Sequence, residues 1–453
     1  MANMDQRGTS PYAPGGYKVG WSNVKGYGAK AGDGLTDDTA AIDKAISDGG
    51  RCGADCGSST IFPAVVYFPP GTYLVSSPII QYYNTQFLGD PTNYPTILAA
   101  ASFVGLGVIT SDVYVGDQQE WYLNTNNFLR NIHNFKMDIT RTDPLRTSCS
   151  FNLCSSAYRQ LNSAYLGNQQ FTTQHLVFVN CKTALHIHWD WAWTMQDVLI
   201  ESCQKGIIVT GGRRPDEQRP GRGSIILVDA SIANTLTGVL TSLYSDNSTA
   251  FLLENVGFYN VKKAIMADIL AGGNEVLSDT RGFGLYAQDA NVRFAQQKVL
   301  PTMQRAKELV GTNSYDKGTF NLFTRRRPQY ADIGHSQVFD VKACGAKGDP
   351  VTDDTIILNS LFIVAANLSS IVYIPHGVSK VTDALKIPKG SRIVGQAWSQ
   401  MMATGAKFQD ADHPLVAVQV GDEGDVGVVE IQDLRFTVSG PTAGSCAGGM
   451  EYP

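Results

Sequence analysis

The sequence predicts an all-β protein, a right-handed parallel β-helix arranged as two tandem domains, the second of them incomplete. Two observations lead to this fold class. One long segment occurs twice in the chain, and a short pattern recurs every 22 to 32 residues inside the first copy's domain. The 45 glycines among 453 residues also suit many short strands joined by tight turns, and they disfavour a long helical bundle.

The duplication defines the domains. Residues 24–46 read VKGYGAKAGDGLTDDTAAIDKAI and residues 341–362 read VKACGAKGDPVTDDTIILNSLF, and their TDDT cores begin 316 residues apart. Each copy continues into a strand and a proline-containing turn, VVYFPPGTY or IVYIPHGVS. We therefore expect a first β-helix domain at 1–280, an irregular linker at 281–337 with one helix-like stretch at 301–310, and a second, truncated β-helix domain at 338–453.

Each copy predicts a short helix that closes one end of its domain. In the first copy Ala41, Ile42, Ala45 and Ile46 have helical spacing. The residues before the two helices are of the types that cap helix N-termini: Thr36, Asp37 and Asp38, then Thr352, Asp353 and Asp354. Paired carboxylates can also serve acid-base catalysis. The same pair at the same place in both domains favours capping, since one active site would not need it twice.

The shorter pattern predicts stacked coils. The hexamers NCKTAL, SCQKGI, NTLTGV and NVKKAI each follow a β-rich stretch, and their small residues are Ala184, Gly206, Gly238 and Ala264. Coils of a solenoid stack at about 4.8 Å, which places equivalent residues above one another. We therefore predict that these four residues form one column.

Six cysteines are disulfide candidates. Two close pairs look like loop staples, which would indicate an oxidising compartment, and a third pair occupies equivalent places in neighbouring coils. For that third pair a cross-coil disulfide and two buried thiols are both open. The candidates are Cys52 with Cys56, Cys149 with Cys154, and Cys181 with Cys203.

Five residues are candidates for substrate contacts. The alternating run ALHIHWDWAWTMQ (184–196) puts three indoles on one face, where they either stack on sugar rings or fill the core. Two amides precede a strand and could bond sugar hydroxyls. The candidates are Gln169, Gln170, Trp189, Trp191 and Trp193. On the opposite face His186, His188 and Asp190 lack an identifiable further ligand, so we expect no metal and no cofactor.

Charge and hydropathy limit the partners. The formal net charge is -5, without the basic excess that a nucleic acid or an anionic membrane surface would attract. No apolar run reaches the roughly 18 residues of a membrane span. We expect a monomer with a polysaccharide substrate. An extracellular location is favoured by composition, although no signal peptide is visible at the N-terminus.

The combined motifs resemble a known family. GTSPYAPGGYKV, VKGYGAKAGDGLTDDTAAI, VVYFPPGTYLVSSPI, LGNQQFTT, WDWAWT and the second VKACGAKGDPVTDDT look like the N-terminal part of glycoside hydrolase family 55, fungal exo-β-1,3-glucanases within the pectate-lyase-like superfamily. The resemblance implies twin β-helices with the active site in the cleft between them. It also implies an inverting hydrolysis of terminal glucose from β-1,3-glucan, with no metal.

The chain also departs from that family. The family's general-acid glutamate would lie beyond Pro453. Residues 141–163 stand where the family has the coils that hold the attacking water. The catalytic residues are therefore unknown, and the chain is expected to have little or no activity. Two alternatives stay open: a pectin-directed lyase or hydrolase on the same fold, and a non-catalytic glycan-binding β-helix.

Overall fold

The protein is described by a computed structural model. It describes residues 5–15, 17, 19–30, 33–57, 59–105, 107–111, 113, 121–122, 128–142, 171–187, 192–209, 223–241, 250–265, 273–277, 280–288, 291–300, 306, 313–314, 321–322, 327–446 and 449–450. Strands dominate these residues, and two α-helices accompany them. None of the helices described has the length and apolar character needed to cross a membrane.

The first unit begins with a strand, helix α1 and a series of short parallel strands. These elements are β1 (Gly20–Asn23), α1 (Thr39–Ser47), β2 (Ala64–Phe68), β3 (Thr72–Val75), β4 (Ile79–Ile80), β5 (Thr85–Gly89), β6 (Thr96–Ala99), β7 (Ile109–Thr110), β8 (Arg130–His133) and β9 (Lys136–Asp138). They form three parallel sheets in the orders β1-β2-β5-β8, β3-β6-β9 and β4-β7.

Longer strands follow. They are β10 (Phe171–Val179), β11 (Thr183–Ile187), β12 (Trp193–Glu201), β13 (Lys205–Val209), β14 (Ser224–Ala233), β15 (Thr237–Thr241), β16 (Ala250–Val261), β17 (Lys263–Ile265), β18 (Gly273–Leu277), β19 (Thr280–Gln288), β20 (Asn291–Leu300), β21 (Asn313–Ser314) and β22 (Asn321–Leu322). Strands β10, β12, β14 and β16 form one parallel sheet, and β11, β13, β15 and β17 form another.

The second unit repeats the pattern of the first. Its elements are β23 (Val338–Asp340), α2 (Thr355–Asn367), β24 (Ile371–Ile374), β25 (Val378–Val381), β26 (Leu385–Ile387), β27 (Arg392–Ala403), β28 (Leu415–Val416), β29 (Val418–Val420), β30 (Glu430–Val438), β31 (Ser445–Cys446) and β32 (Gly449–Met450). All of their pairings are parallel. The predicted parallel β-helix is thereby confirmed.

The predicted column of small residues is present. Thr183 pairs with Lys205 and Leu185 with Ile207, so Ala184 lies beside Gly206. The same register carries the column on to Gly238 and Ala264. A Cβ atom added to Gly206 would lie 2.4 Å from the carbonyl oxygen of Gly238, so the coils approach too closely there for any side chain.

Apolar side chains fill the space between the sheets. Met195, Leu227 and Leu253 are fully buried in neighbouring coils and stack in register. Burying a side chain of this size contributes about 2 kcal/mol relative to leaving it exposed. Helix α1 adds Ile42 and Ile46 to the core of the first unit, which the helical spacing predicts.

The segment predicted as an irregular linker is ordered over its first part. Strand β19 pairs antiparallel with β16, and β20 pairs antiparallel with β19, so residues 280–300 extend the sheet of the first unit. Antiparallel strands need only a short connection, which lets a sheet continue after the stacked coils. The helix-like stretch at 301–310 lies outside the described residues except for 306. The three-part domain division stays a prediction.

The two units contact each other through polar groups. The Ala397 N–H donates to Gln86 Oε1 at 3.1 Å, although the two residues lie 311 positions apart. Asp433 accepts hydrogen bonds from Arg327 and from Asn131, so a carboxylate of the second unit bonds both the linker and the first unit.

Candidate functional site

The aspartate pairs before the two helices have the same structural role in both units. Asp37 Oδ1 accepts the backbone N–H of Thr39, the first helical residue, at 3.0 Å, and Asp353 does the same for Thr355. The second oxygen of Asp37 accepts the Ser76 hydroxyl. Burial by itself would raise the pKa of Asp37, but the hydrogen bonds from Ser76 and Thr39 outweigh it and the pKa lies below its usual value.

The second aspartate of each pair bonds the preceding loop. Asp38 accepts the Lys30 N–H at 2.6 Å, and Asp354 accepts the N–H groups of Lys347 and Gly348 at 2.9 Å. Asp38 occupies the cap position, but its side chain makes no cap hydrogen bond. Each of the four carboxylates accepts at least one backbone N–H from a neighbouring loop or helix start, which fits the interpretation as structural groups.

The first threonine of each TDDT motif does not cap its helix. Thr36 donates its N–H and its hydroxyl to Asp33, and Thr352 donates the same two groups to Asp349. Both are therefore corrected to turn residues. The physical reason is that an aspartate three residues upstream closes a tight turn, so each helix begins three residues after its threonine.

The cysteines behave differently from pair to pair. Cys52 and Cys56 form a disulfide that closes a short loop. Cys181 and Cys203 are buried thiols, with the Cys181 N–H donating to Cys203 Sγ at 3.3 Å. A hydrogen bond from the Cys181 side chain is the main reason that the pKa of Cys203 lies below its usual value. Cys149 and Cys154 lie outside the described residues.

Trp193 is removed from the candidate stacking residues. Its side chain is 4% exposed and its Nε1 donates to Thr173 Oγ1 at 3.2 Å, so it belongs to the core. In the described residues the run is not one strand, because β11 ends at Ile187 and β12 begins at Trp193, with Ala192 between them at φ 146°. Ile187 and Trp193 are both buried in the same core. Gln169, Gln170, Trp189 and Trp191 lie outside the described residues, as do His188 and Asp190.

A column of polar residues crosses the sheet β10-β12-β14-β16. We call His175, Asp197, Asp229 and Asn255 the polar column. The pairings on both sides of each residue place them in register from coil to coil. All four have a positive φ between 54° and 57°, a conformation that interrupts the regular alternation of side chains along the strand.

Hydrogen bonds join the polar column in pairs. His175 Nδ1 lies 2.6 Å from Asp197 Oδ2, and Asn255 Nδ2 donates to Asp229 Oδ1 at 2.6 Å. Asp197 and Asp229 are 5% and 1% exposed, so the two buried carboxylates hold the more exposed His175 and Asn255 in place. The His175 side chain is 34% exposed. A ligand on this face would therefore meet the imidazole and the amide and would not meet the carboxylates.

Amide and carboxylate side chains border the polar column. Gln174 Nε2 donates to Gln196 Oε1 at 3.3 Å across neighbouring coils, and Glu254 lies on the same outer row. At the far end of the strands Asn260 donates to Asn234 at 2.7 Å, in an exposed row. The outer face thus offers donors and acceptors one coil apart, which can bond the hydroxyls of a chain of sugars.

The sequence contained a signal for the polar column that was not used. Each of its members lies five residues before the first residue of a hexamer, so the spacing of 22, 32 and 26 residues is the same. Extending the hexamer alignment upstream would have aligned His175, Asp197, Asp229 and Asn255. Among the described residues, no group of three or more histidine, cysteine or acidic side chains could hold a metal ion.

Comparison with known proteins identifies the relatives of this chain. A protein of Penicillium expansum named "Non-secreted LysM effector LysM19" is 64% identical over 98% of this chain and 38% of its own length. A "Probable glucan endo-1,3-beta-glucosidase" of Arthroderma benhamiae is 31% identical over 98% of this chain and 65% of its own length. A "Glucan 1,3-beta-glucosidase" of Cochliobolus carbonum is 30% identical over 98% and 61%.

The chain spans between about a third and two thirds of the length of these relatives. The glucosidase names confirm the resemblance to family 55 predicted from the motifs. The family described as "Rhamnogalacturonase A/epimerase, pectate lyase-like" matches residues 21–163, 159–208 and 338–432, more than half of the chain. This protein therefore belongs to the rhamnogalacturonase A/epimerase, pectate lyase-like family.

Proposed function

We propose that this chain binds β-1,3-glucan along the outer face of its first β-helix, at the polar column. The observation that carries the proposal is the in-register column in which half-buried His175 and Asn255 are held by buried carboxylates. A neutral glucan offers only hydroxyls, which such donors and acceptors satisfy without net charge. The glucosidase names of two relatives support the choice of glycan.

For the whole protein we propose an exo-acting, inverting β-1,3-glucanase activity, with these 453 residues lacking the general acid. Asp197 and Asp229 do not suit that role. Neighbouring coils are about 4.8 Å apart, whereas an inverting pair of carboxylates needs roughly 6.5 to 9.5 Å between them for a water molecule. Asp197 and Asp229 are also buried, which keeps them from contacting a substrate. We therefore assign them the role of orienting His175 and Asn255.

The remaining sequence candidates fit the same proposal. Gln169 and Gln170 directly precede β10, and Trp189 and Trp191 shortly precede β12, two strands of the binding face. We propose that they extend the contacts with the glycan. An extracellular location and a monomeric state remain part of the proposal, although two relatives are named as non-secreted.

Calorimetric titration with laminarin tests the binding. We expect His175→Ala to weaken binding about five- to tenfold, the loss of roughly one hydrogen bond. His413→Ala is the matched control, since His413 also pairs with an aspartate, Asp410, at 2.9 Å but is fully exposed in the second unit. Equal affinity of all three proteins, or no binding of laminarin, would refute the proposal.

Product analysis separates the alternatives. Binding without glucose release fits the proposal for this chain, and rapid glucose release would show that a catalytic acid is present after all. Release of unsaturated uronides from polygalacturonate would instead support the pectin-directed alternative, which the family description keeps open.

A further inference from the structure

The segment before the first β-helix lies across the second one. The Thr9 N–H donates to the carbonyl oxygen of His376 at 2.8 Å, and Gln396 Nε2 donates to Gln6 Oε1 at 3.0 Å. Arg7 Nε lies 3.6 Å from Asp340 Oδ2. Residues 6 to 9 thus bond groups of the second unit that lie more than 330 positions away in the chain.

The same segment is tied to the first unit. The Ser10 hydroxyl donates to the carbonyl oxygen of Ile61 at 2.7 Å, and the Tyr17 hydroxyl donates to the carbonyl oxygen of Pro63 at 2.9 Å. Gly8 lies between the units, since a Cβ atom there would be 2.7 Å from Gln396 Oε1 and 3.1 Å from Val19 Cβ. The segment therefore contacts both units within a few residues.

Lys342 is the centre of this contact. Its Nζ donates to the Thr9 hydroxyl at 2.8 Å, to the Arg7 carbonyl at 3.2 Å and to the His376 carbonyl at 3.0 Å. Burial lowers the pKa of Lys342 to about 8. The cost of burying a lysine is offset here by three acceptors, two of which belong to the N-terminal segment.

The duplication supplies an internal comparison. Lys25 is the counterpart of Lys342 in the first TDDT segment, and Pro70 is the counterpart of His376. Among the residues that the structure describes, Lys25 Nζ donates to the Pro70 carbonyl alone, at 3.5 Å, and this contact is exposed. The lysine at this position therefore acquires its additional acceptors only where the N-terminal segment crosses it.

We propose that residues 5–12 form a clasp that holds the second β-helix against the first and so fixes the relative position of the two units. The clasp acts beside the direct contact between Ala397 and Gln86. It does not depend on which glycan the protein binds, so it can fail or hold independently of the proposed function.

Hydrogen exchange of the full-length chain at the Ala397 amide tests the clasp, because this amide is protected by an oxygen of the other unit. We expect Lys342→Met to accelerate its exchange at least about fivefold, and the core amide of Leu253 to stay unchanged. Lys25→Met is the matched control and should exchange as the wild type. Equal exchange of Ala397 in Lys342→Met and the wild type would overturn the clasp.

A second variant covers the case in which Lys342→Met loosens the second unit itself, with its core amides at Ile393 and Leu385 also accelerated. None of residues 5–9 belongs to the hydrophobic core of either unit, so we expect removal of residues 1–9 to leave both cores intact. Faster exchange confined to Ala397 in that variant supports the clasp, and unchanged exchange overturns it.

Discussion

The pKa of His376 is determined mainly by the burial of its side chain. The residue is 3% exposed and its Nδ1 lies 2.9 Å from the carbonyl oxygen of Ala397. Burial lowers its pKa to about 4, so the imidazole is neutral at pH 7 in the folded chain. The unfolded chain takes up a proton near pH 6.5, before the folded one does.

The free energy of unfolding should therefore fall as the pH drops from about 6.5 to about 4. His376 alone accounts for a loss of up to about 3 kcal/mol over that range. Urea unfolding of the wild type and of His376→Gln at pH 7 and pH 4.5 measures it, and the variant should lose less stability between the two pH values. His413→Gln, changed at an exposed histidine, should retain the wild-type slope. Identical slopes in all three would contradict this account.

Residue-scale prediction from the sequence succeeded where a periodic position decided the environment. The spacing of the hexamers located Ala184, Gly206, Gly238 and Ala264 correctly. For Trp193 alternation left open whether the indole contacts a ligand or fills the core, and the structure places it in the core. The polar column was missed because a residue with positive φ interrupts the alternation of a strand. Its signals in the sequence are the spacing shared with the hexamers and the His, Asp and Asn residue types that favour positive φ.

At the scale of the elements, the two helix entries are built alike. Asp37 and Asp353 each accept the first helical N–H, and each also bonds a hydroxyl of the next strand segment, Ser76 or Thr382. Each carboxylate therefore joins a helix start to a coil. The sequence predicted the capping function and the pair involved, but not the division of work between the two aspartates.

Removing either carboxylate should destabilise the protein without affecting glycan binding. We expect Asp37→Ala and Asp353→Ala each to lower the free energy of unfolding by about 1 to 2 kcal/mol, and the double variant to lose the sum, since the sites are far apart. Urea unfolding measures the loss, and laminarin titration serves as the second readout. A selective loss of binding with unchanged stability would favour catalysis or ligand contact instead.

The stacking of coils predicts a second effect at this scale. Gly206→Ala places a Cβ 2.4 Å from a carbonyl oxygen of the next coil, so the coils must separate locally. We expect a loss of about 2 kcal/mol or more in the free energy of unfolding. Gly26→Ala is the control, because no atom lies within 4 Å of its Cβ position. A tolerated Gly206→Ala would show that neighbouring coils are further apart than described.

At the scale of the whole molecule, the duplication produced two units in which a pair of equivalent residues bonds one and the same connecting segment. Asn134 and Asp433 both have positive φ. Each lies directly against a glycine of the neighbouring coil, Gly89 or Gly395. Asn134 bonds Gln329, and Asp433 bonds Arg327, so both hold the segment that enters the second unit. Sequence comparison of the copies predicted the two units, but not these contacts, which depend on how the units pack.

The central claim is that neighbouring coils stack in register and so align the polar column with its bordering amides. Gln174 and Gln196 lie on that face in adjacent coils, and their side chains share a hydrogen bond of 3.3 Å. Replacing both by cysteine should therefore create a pair within disulfide distance, whereas Gln174→Cys with Thr194→Cys places the thiols on a diagonal, with Cα atoms roughly 8 Å apart.

Mild oxidation of both double variants, followed by mass spectrometry of the linked peptides, compares the two pairs in one experiment. We expect a disulfide between positions 174 and 196 and little or none between positions 174 and 194. A disulfide that forms preferentially on the diagonal would place the coils in a different register and would contradict the proposed binding face.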